Sequence, residues 1–492
     1  MKKLFVLLGV FCALCFVACS NFQLAGGDMG VVSLSIGDNL AREIRSAAAS
    51  RNVADGTYTL TASIRGEYSD SQTVAVANGN YSGVTFTFED VPVGKRIILD
   101  LTAKTGNNYI WYGNSGKYTV EQGENLLTIA LGRVSGVLMW DNSSVKIAPY
   151  GNYEAGSSIQ NPKTPPVWCF DAQGNLYVLD ANGGGMRYNL QADGTYPSKN
   201  NATYSGLTDF WAFACDNDEG VVYGIHRDGL YRLVESNNPT LVATHDITDS
   251  DLGFTVHNNI VYCATYAEKQ EDDGPILGVV KLSSYKLEDA SDGGSKTATP
   301  LLLVDKEFTL PEVFGSHAPS SQMIYHEGAL YLLLRRFEIN NASVDNPVEH
   351  YSLGALAKID PNTLTLDTSF GNGGYLGLSS SPVTFNDRKD SGKTFNVTYH
   401  GSTAGNDTFF GPVGFVAVMP KKLVIGDAGF AMSADGADTV SLTKKSRIVT
   451  VDLETLAFDA TDIDTSYYQS DNNYSSISSK VSGYSYIVIA NN

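Results

Sequence analysis

Apolar and polar residues alternate with a period of two in the part of the chain that follows residue 30. In a β-strand successive side chains point to opposite faces, so this alternation gives each strand one apolar and one wet face. Five such segments within one hundred residues predict two sheets packed face to face, a β-sandwich over residues 31–132. The alternating apolar residues are Val32, Leu34 and Ile36; Tyr58, Leu60, Ala62 and Ile64; Val84, Phe86 and Phe88; Ile97, Leu99 and Leu101; and Leu127, Ile129 and Leu131.

A second pattern begins near residue 133, where a polar turn is repeatedly followed by a short strand that usually carries a tyrosine. Three of these tyrosines recur at intervals of 46 and 39 residues, which is the size of a four-stranded propeller blade. A single hairpin cannot close a core, whereas sheets stacked radially bury both faces. The repeat predicts a β-propeller over residues 133–492. The copies contain Tyr177, Tyr223, Tyr262, Tyr331, Val424 and Tyr486.

These six copies predict six blades, with seven as the alternative because the gap between Tyr331 and Val424 is long. The last copy ends close to the C-terminus, directly after its inner strands. Its outer strands are then expected from residues 134–140 and 145–147, which are apolar and precede the first complete copy. Such a closure ties the two ends of the ring together and removes a free sheet edge.

Two local motifs resemble known domain families. Residues 88–94, Phe-Glu-Asp-Val-Pro-Val-Gly, resemble a turn of transthyretin-like and carboxypeptidase-regulatory-like domains. That resemblance implies a β-sandwich that serves as a spacer or binding platform. Residues 366–374, Leu-Asp-Thr-Ser-Phe-Gly-Asn-Gly-Gly, are similar to an element of delta-60 repeat propellers, and residues 414–426 match its continuation after an insertion at 379–409. The other blades resemble NHL-type repeats.

The N-terminus has the features of an export signal. Lys2 and Lys3 precede an apolar run over residues 4–16, and the run ends in Phe-Val-Ala before Cys19, which resembles a bacterial lipobox. The resemblance implies a lipoprotein signal peptide at 1–18 and lipid, including palmitate, on Cys19. The alternative is a plain secretory signal with a chance cysteine. Residues 19–30, rich in glycine, are expected to form a tether.

The predicted lipid is the only membrane attachment visible, since no other apolar stretch approaches the ~20 residues that a membrane helix needs. In some bacteria an aspartate directly after the lipidated cysteine resembles an inner-membrane retention signal. This chain has Ser20 at that position, which favours the outer membrane of the cell envelope. The formal net charge of −19 disfavours nucleic acid as a partner, because phosphates would be repelled.

Three cysteines remain in the mature body, each within an apolar strand-like run. We predict buried free thiols, and a disulfide between two of them in an exported chain is the alternative. Cys169 and Cys215 each stand eight residues before a repeat tyrosine, which predicts equivalent positions in neighbouring blades; the third is Cys263. The spacing contains no zinc signature, so no metal site is predicted.

Catalytic motifs are not found: the chain has no GxSxG, HExxH or P-loop sequence, and neither a catalytic residue nor a cofactor is predicted. The insertion at 379–409 reads instead as an irregular loop with a recognition surface, and a mobile surface loop is the equal alternative. The candidate ligand-binding residues are Phe385, Arg388, Tyr399 and His400 in that insertion and His317 in another.

Two functions therefore stay open. The first is a membrane-anchored binding or scaffold module that contacts a protein or glycan through a propeller face shaped by insertions at 266–275, 338–350 and 379–409. The second is a propeller enzyme, a lyase or glycan hydrolase, with carboxylates facing the central channel. The inner strands supply mostly Cys, Phe, Tyr, Val and Ala, which favours binding.

Overall fold

A computed structural model gives the fold. It is all-β as predicted, and the single helical element among the described residues is a 3-10 turn at Glu312–Phe314. The signal, Cys19 and most of the tether lie outside the described part. The structure describes residues 28–36, 58–76, 83–129, 131–140, 145–152, 156–162, 168–171, 174–182, 184–191, 193–200, 202–204, 210–216, 221–226, 228–233, 240–244, 253–270, 274, 276–287, 301–315, 320–340, 348–378, 382–387, 395–401, 407–419, 421–427, 431–434, 440–443 and 447–462.

The first unit consists of two sheets that share one apolar core. Sheet A has the order β4-β1-β8, and sheet B has the order β3-β2-β5-β6-β9 with β7 paired to β5. Leu34 and Phe86 from sheet A pack with Leu60 and Leu99 from sheet B, and all four are buried. The strands are β1 (Met29–Ser35), β2 (Tyr58–Gly66), β3 (Asp70–Val76), β4 (Thr85–Pro92), β5 (Arg96–Thr105), β6 (Asn108–Asn114), β7 (Tyr118–Thr119), β8 (Gly123–Leu127) and β9 (Gly132–Arg133).

The second unit is a series of sheets whose strands mostly follow one another in sequence. Sheets 1 to 3 are antiparallel, and each strand pairs with its predecessor. Sheet 1 contains β10 (Gly136–Trp140), β11 (Val145–Pro149) and β12 (Ser157–Ser158); sheet 2 contains β13 (Trp168–Phe170), β14 (Leu176–Leu179), β15 (Gly185–Tyr188) and β16 (Ala202–Tyr204); sheet 3 contains β17 (Phe210–Asp216), β18 (Val221–His226), β19 (Gly229–Leu233) and β20 (Thr240–Thr244).

Sheets 4 to 6 are larger because hairpins extend them. β30 pairs parallel to β27, and β33 and β34 form a separate hairpin between two strands of sheet 6. Sheet 4 contains β21 (Gly253–His257), β22 (Ile260–Gln270), β23 (Ile276–Lys286) and β24 (Leu301–Thr309); sheet 5 contains β25 (Ser320–His326), β26 (Ala329–Asn340), β27 (Val348–Ile359), β28 (Tyr375–Leu376), β29 (Pro382–Asp387) and β30 (Phe395–Gly401); sheet 6 contains β31 (Pro412–Met419), β32 (Lys422–Asp427), β35 (Arg447–Asp452) and β36 (Phe458–Asp462), with β33 (Ala431–Ala434) and β34 (Val440–Thr443) between.

Neighbouring sheets of the second unit pack against one another in chain order. The first strands of sheets 2 to 6 contact in succession, β13 with β17, β17 with β21, β21 with β25 and β25 with β31, and β31 in turn contacts β10 of sheet 1. An apolar cluster fills each interface from sheets 1 and 2 to sheets 5 and 6. Sheets 2 to 5 therefore bury both of their faces against neighbours.

The cysteines are buried and none forms a disulfide, as predicted, but their predicted equivalence is wrong. Cys169 pairs across its hairpin with Tyr177, whereas Ala214, rather than Cys215, pairs with Tyr223. The turn after β17 is one residue shorter than the turn after β13, and a shift of one residue moves a strand's side chains to the opposite face. Cys169 and Cys215 consequently share one apolar cluster between sheets 2 and 3.

The insertion at 379–409 also differs from the irregular loop expected from the sequence. Its described residues form the hairpin β29–β30, in which Phe385 pairs with Val397. β30 pairs parallel to the beginning of β27, from Val348 to Ser352. The insertion is thus an extension of sheet 5. It contains two segments in which apolar and polar residues alternate; they form strands, and one of them pairs with the free edge of β27.

A cluster of charges joins the two units. Arg65 of sheet B donates from Nε to Asp100 at 2.5 Å and from an Nη to Asp452 of sheet 6 at 2.6 Å. The Tyr112 hydroxyl donates to the other oxygen of Asp100 at 2.5 Å, and Lys422 Nζ lies 4.4 Å from the centroid of the Tyr112 ring. We call Arg65, Asp100, Tyr112, Lys422 and Asp452 the junction cluster. It holds an arginine of the first unit between a carboxylate of each unit.

The junction cluster shifts the ionisation of its members. Burial works to raise the pKa of Asp452, but the Arg65 charge and hydrogen bonds from Thr455 outweigh it, so the pKa lies below its ordinary value. Burial and the Asp100 charge raise the pKa of Tyr112 far above its usual range, which keeps its hydroxyl a donor at neutral pH. Both effects favour the pairing seen in the structure.

Replacing Arg65 with Ala should loosen the junction, because two carboxylates then lose their shared partner. We expect the free energy of unfolding to fall by about 1–3 kcal/mol, measured by thermal unfolding. We also expect new proteolytic cleavage near residue 133, measured by limited trypsin digestion. Arg96→Ala is the matched control, since Arg96 pairs with Glu67 at 3.4 Å at an exposed site. Its expected effect is within about 0.5 kcal/mol. Equal effects of the two variants would contradict the account.

Candidate functional site

The sheets of the second unit have two distinguishable ends. At the junction end, each first strand turns into the second, and Lys422 pairs across the ladder with Asp452. The first unit contacts this end through the junction cluster and through Asn108, whose Nδ2 donates to the Asp193 carbonyl at 2.7 Å. At the opposite end, which we call the hairpin end, each second strand turns into the third.

Long hairpins extend from the hairpin end. β22 and β23 pair from Ile260 out to Gln270 with Ile276, and β26 and β27 pair out to Asn340 with Glu349. β29 and β30 lie at the same end, because β30 pairs with the beginning of β27. The three insertions predicted from the sequence to shape one face therefore all belong to one end of the sheets. It is the end opposite the first unit.

A fourth hairpin was missed by the sequence analysis. β33 and β34 lie between Asp427 and Arg447, which pair at the hairpin end of sheet 6. β34 also contacts β29, so the hairpins of sheets 5 and 6 touch. The signal for this hairpin is Asp435-Gly436 between two short strands, the dipeptide that favours tight hairpin turns.

His400, a residue predicted for the site, is held in a layered stack of side chains. Its ring lies 4.2 Å from that of Tyr351 with an interplanar angle of 6°. The Arg336 guanidinium carbon lies 3.4 Å from the centroid of the same Tyr351 ring. Because Arg336 and His400 both lie at stacking distance from this ring, they must contact its opposite faces. Arg336 is buried and donates to the Val313 carbonyl at 2.7 Å. The stack fastens β30 to β27.

Tyr266 belongs to the same neighbourhood, at the start of the long part of the β22–β23 hairpin. Burial and the Glu268 charge raise the pKa of Tyr266, while the Arg336 charge acts against that rise. The phenol therefore stays neutral at physiological pH. The hairpins of sheets 4 and 5 thus meet around one arginine and two tyrosines, a combination that is enriched where proteins bind partners.

A buried ion pair fixes the chain that follows the β29–β30 hairpin. Arg447 and Asp427 lie 2.9 Å apart and are almost fully buried. The Asp427 carboxylate also accepts backbone N–H donors from Phe410 and Gly411, the latter at 2.6 Å, and the Arg447 guanidinium lies 3.9 Å from the Phe410 ring. Arg447 further donates to the Thr408 carbonyl. The charges of Arg447 and Asp427 are therefore not exposed, and the pair instead fixes the base of the hairpins.

The structure places the predicted site residues unequally. Phe385 lies on β29, and Tyr399 and His400 lie on β30, so these three share one hairpin. His317 and Arg388 lie outside the described residues. Arg336 and Tyr351 were not predicted, because their relation to His400 depends on the parallel pairing of β27 with β30, which no local pattern reveals.

Within the described ranges, no group of three or more His, Cys, Asp or Glu side chains is placed to hold a metal ion. No helix in the described part of the chain is long and apolar enough to cross a membrane. Within the described residues, the hairpin end combines paired backbone with the Arg336–Tyr351–His400 stack that holds β30 on β27.

Comparison with known proteins gives two similarities. Residues 321–476 match the family model of the TdpA C-terminal domain. Over 92% of this chain and 87% of the relative, the sequence is 23% identical to "53 kDa membrane antigen A" of Treponema denticola. The family match begins in β25 and therefore includes the hairpins of sheets 5 and 6.

Replacing Tyr351 with Ala should release β30 from β27, since Tyr351 contacts Arg336 on one face and His400 on the other. We expect the free energy of unfolding to fall by about 1–3 kcal/mol and the amide hydrogens of β30 to exchange faster. Tyr351→Phe keeps the ring and is the matched control, with little change expected. If β30 exchanges equally slowly in both variants, the stack does not hold the hairpin.

Proposed function

We propose that this chain is a lipid-anchored protein of the bacterial cell envelope that binds a protein or glycan through the hairpin end of its second unit. In this proposal Cys19 carries lipid and attaches the chain to the outer membrane. The first unit is a β-sandwich spacer, and the second is a six-bladed β-propeller.

Membrane association is supported by the similarity to a membrane antigen along most of the chain. The propeller is supported by six sheets in the described residues whose first strands contact in chain order, with β31 next to β10. The sandwich is supported by the core that sheets A and B share.

One observation carries the functional proposal: the first unit and the long hairpins occupy opposite ends of the same sheets. The first described strand begins at Met29, and the residues between it and Cys19 span at most about 30 Å when extended. In this proposal the membrane lies on the side of the first unit. The hairpin end is directed away from it, where an external ligand is accessible.

Replacing Cys19 with Ala should abolish membrane association, because in this proposal the lipid on Cys19 attaches the chain to the membrane. We expect the wild type in the detergent phase of a Triton X-114 extraction and the variant in the aqueous phase. Cys263→Ala, at a buried position in the body, controls for loss of a thiol. Equal partitioning of Cys19→Ala and wild type would overturn the anchoring.

The ligand role is tested with a printed array of purified glycans and glycoproteins. A variant in which residues 381–406 are replaced by a short Gly-Ser turn should lose at least about tenfold in affinity for the probes that wild type binds, since it removes the β29–β30 hairpin. Arg96→Ala, on the first unit, is the control and should keep wild-type binding. Array binding that survives the deletion, or that is absent in wild type, would contradict the proposal.

A further inference from the structure

The last strand of sheet 4, β24, has a free edge. Sheet 4 has the order β21-β22-β23-β24, and within the described residues β24 pairs only with β23. It contains nine residues, whereas β16, β20 and β36, the last strands of sheets 2, 3 and 6, contain three, five and five. A long edge strand presents a row of unpaired backbone N–H and C=O groups that can pair with a further strand.

The beginning of β24 is both apolar and exposed. Residues 301–303 are three leucines whose exposed fractions are 62%, 51% and 43%, and adjacent apolar residues of this kind mark interaction sites. Only Val304 and Phe308 of the strand are partly buried, and both pack on the apolar cluster between sheets 4 and 5. A bulge separates the leucines from a regular ladder over residues 304–309. The strand thus has a regular free edge with an exposed apolar patch beside it.

Three charges of alternating sign follow one another in the regular ladder, at Asp305, Lys306 and Glu307. The Asp305 carboxylate accepts a hydrogen bond from the Ser283 hydroxyl at 3.2 Å, and Glu307 lies 3.8 Å from the Lys269 Nζ. Lys306 is on the opposite face of the strand and is exposed, and it forms no ion pair within the part of the chain that the structure describes. A strand that pairs with this edge must match its order of negative, positive and negative charge.

This order of charge argues against a second copy of the chain as the partner. In an antiparallel ladder two opposed residues either both form hydrogen bonds across the pair or both do not. Residues opposed in a pair of identical strands are therefore an even number of positions apart. The two registers that overlap most along residues 304–309 then oppose Lys306 to Lys306 or Glu307 to Glu307. Like charges directly opposite each other destabilise a strand pair.

We propose that β24 is a docking site for an extended segment of another protein, which adds to sheet 4 as an antiparallel fifth strand. The segment has basic residues opposite Asp305 and Glu307, an acidic residue opposite Lys306, and apolar residues that cover the leucines at 301–303. Antiparallel addition continues the pairing of the sheet, in which all neighbouring strands are antiparallel. Backbone pairing supplies the affinity in strand addition, and side chains supply the specificity. The site is the side edge of one sheet, so it goes beyond the ligand role proposed for the hairpin end.

Two synthetic peptides of opposite charge order test the site. The matched peptide is Thr-Val-Lys-Glu-Lys-Val-Leu-Thr-Leu, and the reversed peptide is Thr-Val-Glu-Lys-Glu-Val-Leu-Thr-Leu. The full chain should bind the matched peptide at least about fivefold more tightly, measured by fluorescence polarisation of labelled peptide, because three cross-strand charge pairs are attractive with it and repulsive with the other. No binding of the matched peptide at about 1 mM, or equal affinity for both peptides, would overturn the proposal.

A charge-reversed chain separates this pairing from the general attraction of an acidic protein for a basic peptide. The triple variant Asp305→Lys, Lys306→Glu, Glu307→Lys should prefer the reversed peptide, because its edge has the opposite order of charge. A triple variant that still prefers the matched peptide would contradict the docking site. The variant in which a Gly-Ser turn replaces residues 381–406 should bind both peptides as wild type does, which keeps this test independent of the hairpin end.

The leucine patch is tested in the same assay. The double variant Leu301→Ser, Leu302→Ser should bind the matched peptide at least about threefold more weakly, because apolar contact is lost, and should keep its thermal stability, because both residues are exposed. Leu126→Ser, at an exposed leucine of the first unit, is the matched control and should bind as wild type does. If wild type sediments as a dimer that the double variant dissociates, the occupant is a second copy and the proposal is wrong.

Discussion

The second unit depends on one constraint: its sheets are apolar on both faces, so each must lie between two others. β14 illustrates it, since Leu176 and Val178 belong to the cluster shared with sheet 1, while Tyr177 and Leu179 belong to the cluster shared with sheet 3. A simple row of such sheets would leave two apolar faces in water. In the proposed propeller, arranging the sheets in a ring removes those faces, and the contact of β31 with β10 brings the last described sheet next to the first.

This constraint explains why much of the fold was predictable. In strands with one face in water, as in the first unit, apolar and polar residues alternate. Strands buried on both faces, as in the second unit, are continuously apolar, so the two units have different sequence patterns. The repeated tyrosines mark second strands, since Tyr177, Tyr223, Tyr262 and Tyr331 lie on β14, β18, β22 and β26. What failed depended on single residues: one residue fewer in the turn after β17 placed Cys215 on the other face of its strand.

The candidate site was less predictable, because it depends on residues far apart in sequence. The sequence pointed to His400 and to the three insertions, but the Arg336–Tyr351–His400 stack exists only through the parallel pairing of β27 with β30. The junction cluster is more remote still, since Arg65 and Asp452 are 387 positions apart. Together these two contacts give the second unit its polarity, with the first unit at one end and the long hairpins at the other.

Closure of the ring is the claim on which this polarity rests, since an open row of sheets would not hold its two ends in fixed relation. Amide hydrogen exchange of the wild-type protein, resolved at β10 and β31, tests it most directly. The account predicts protection of these amides comparable to that of β13 and β17, the first strands of sheets 2 and 3. Exchange of β10 and β31 at the rate of an unstructured peptide, with β13 and β17 still protected, would contradict it.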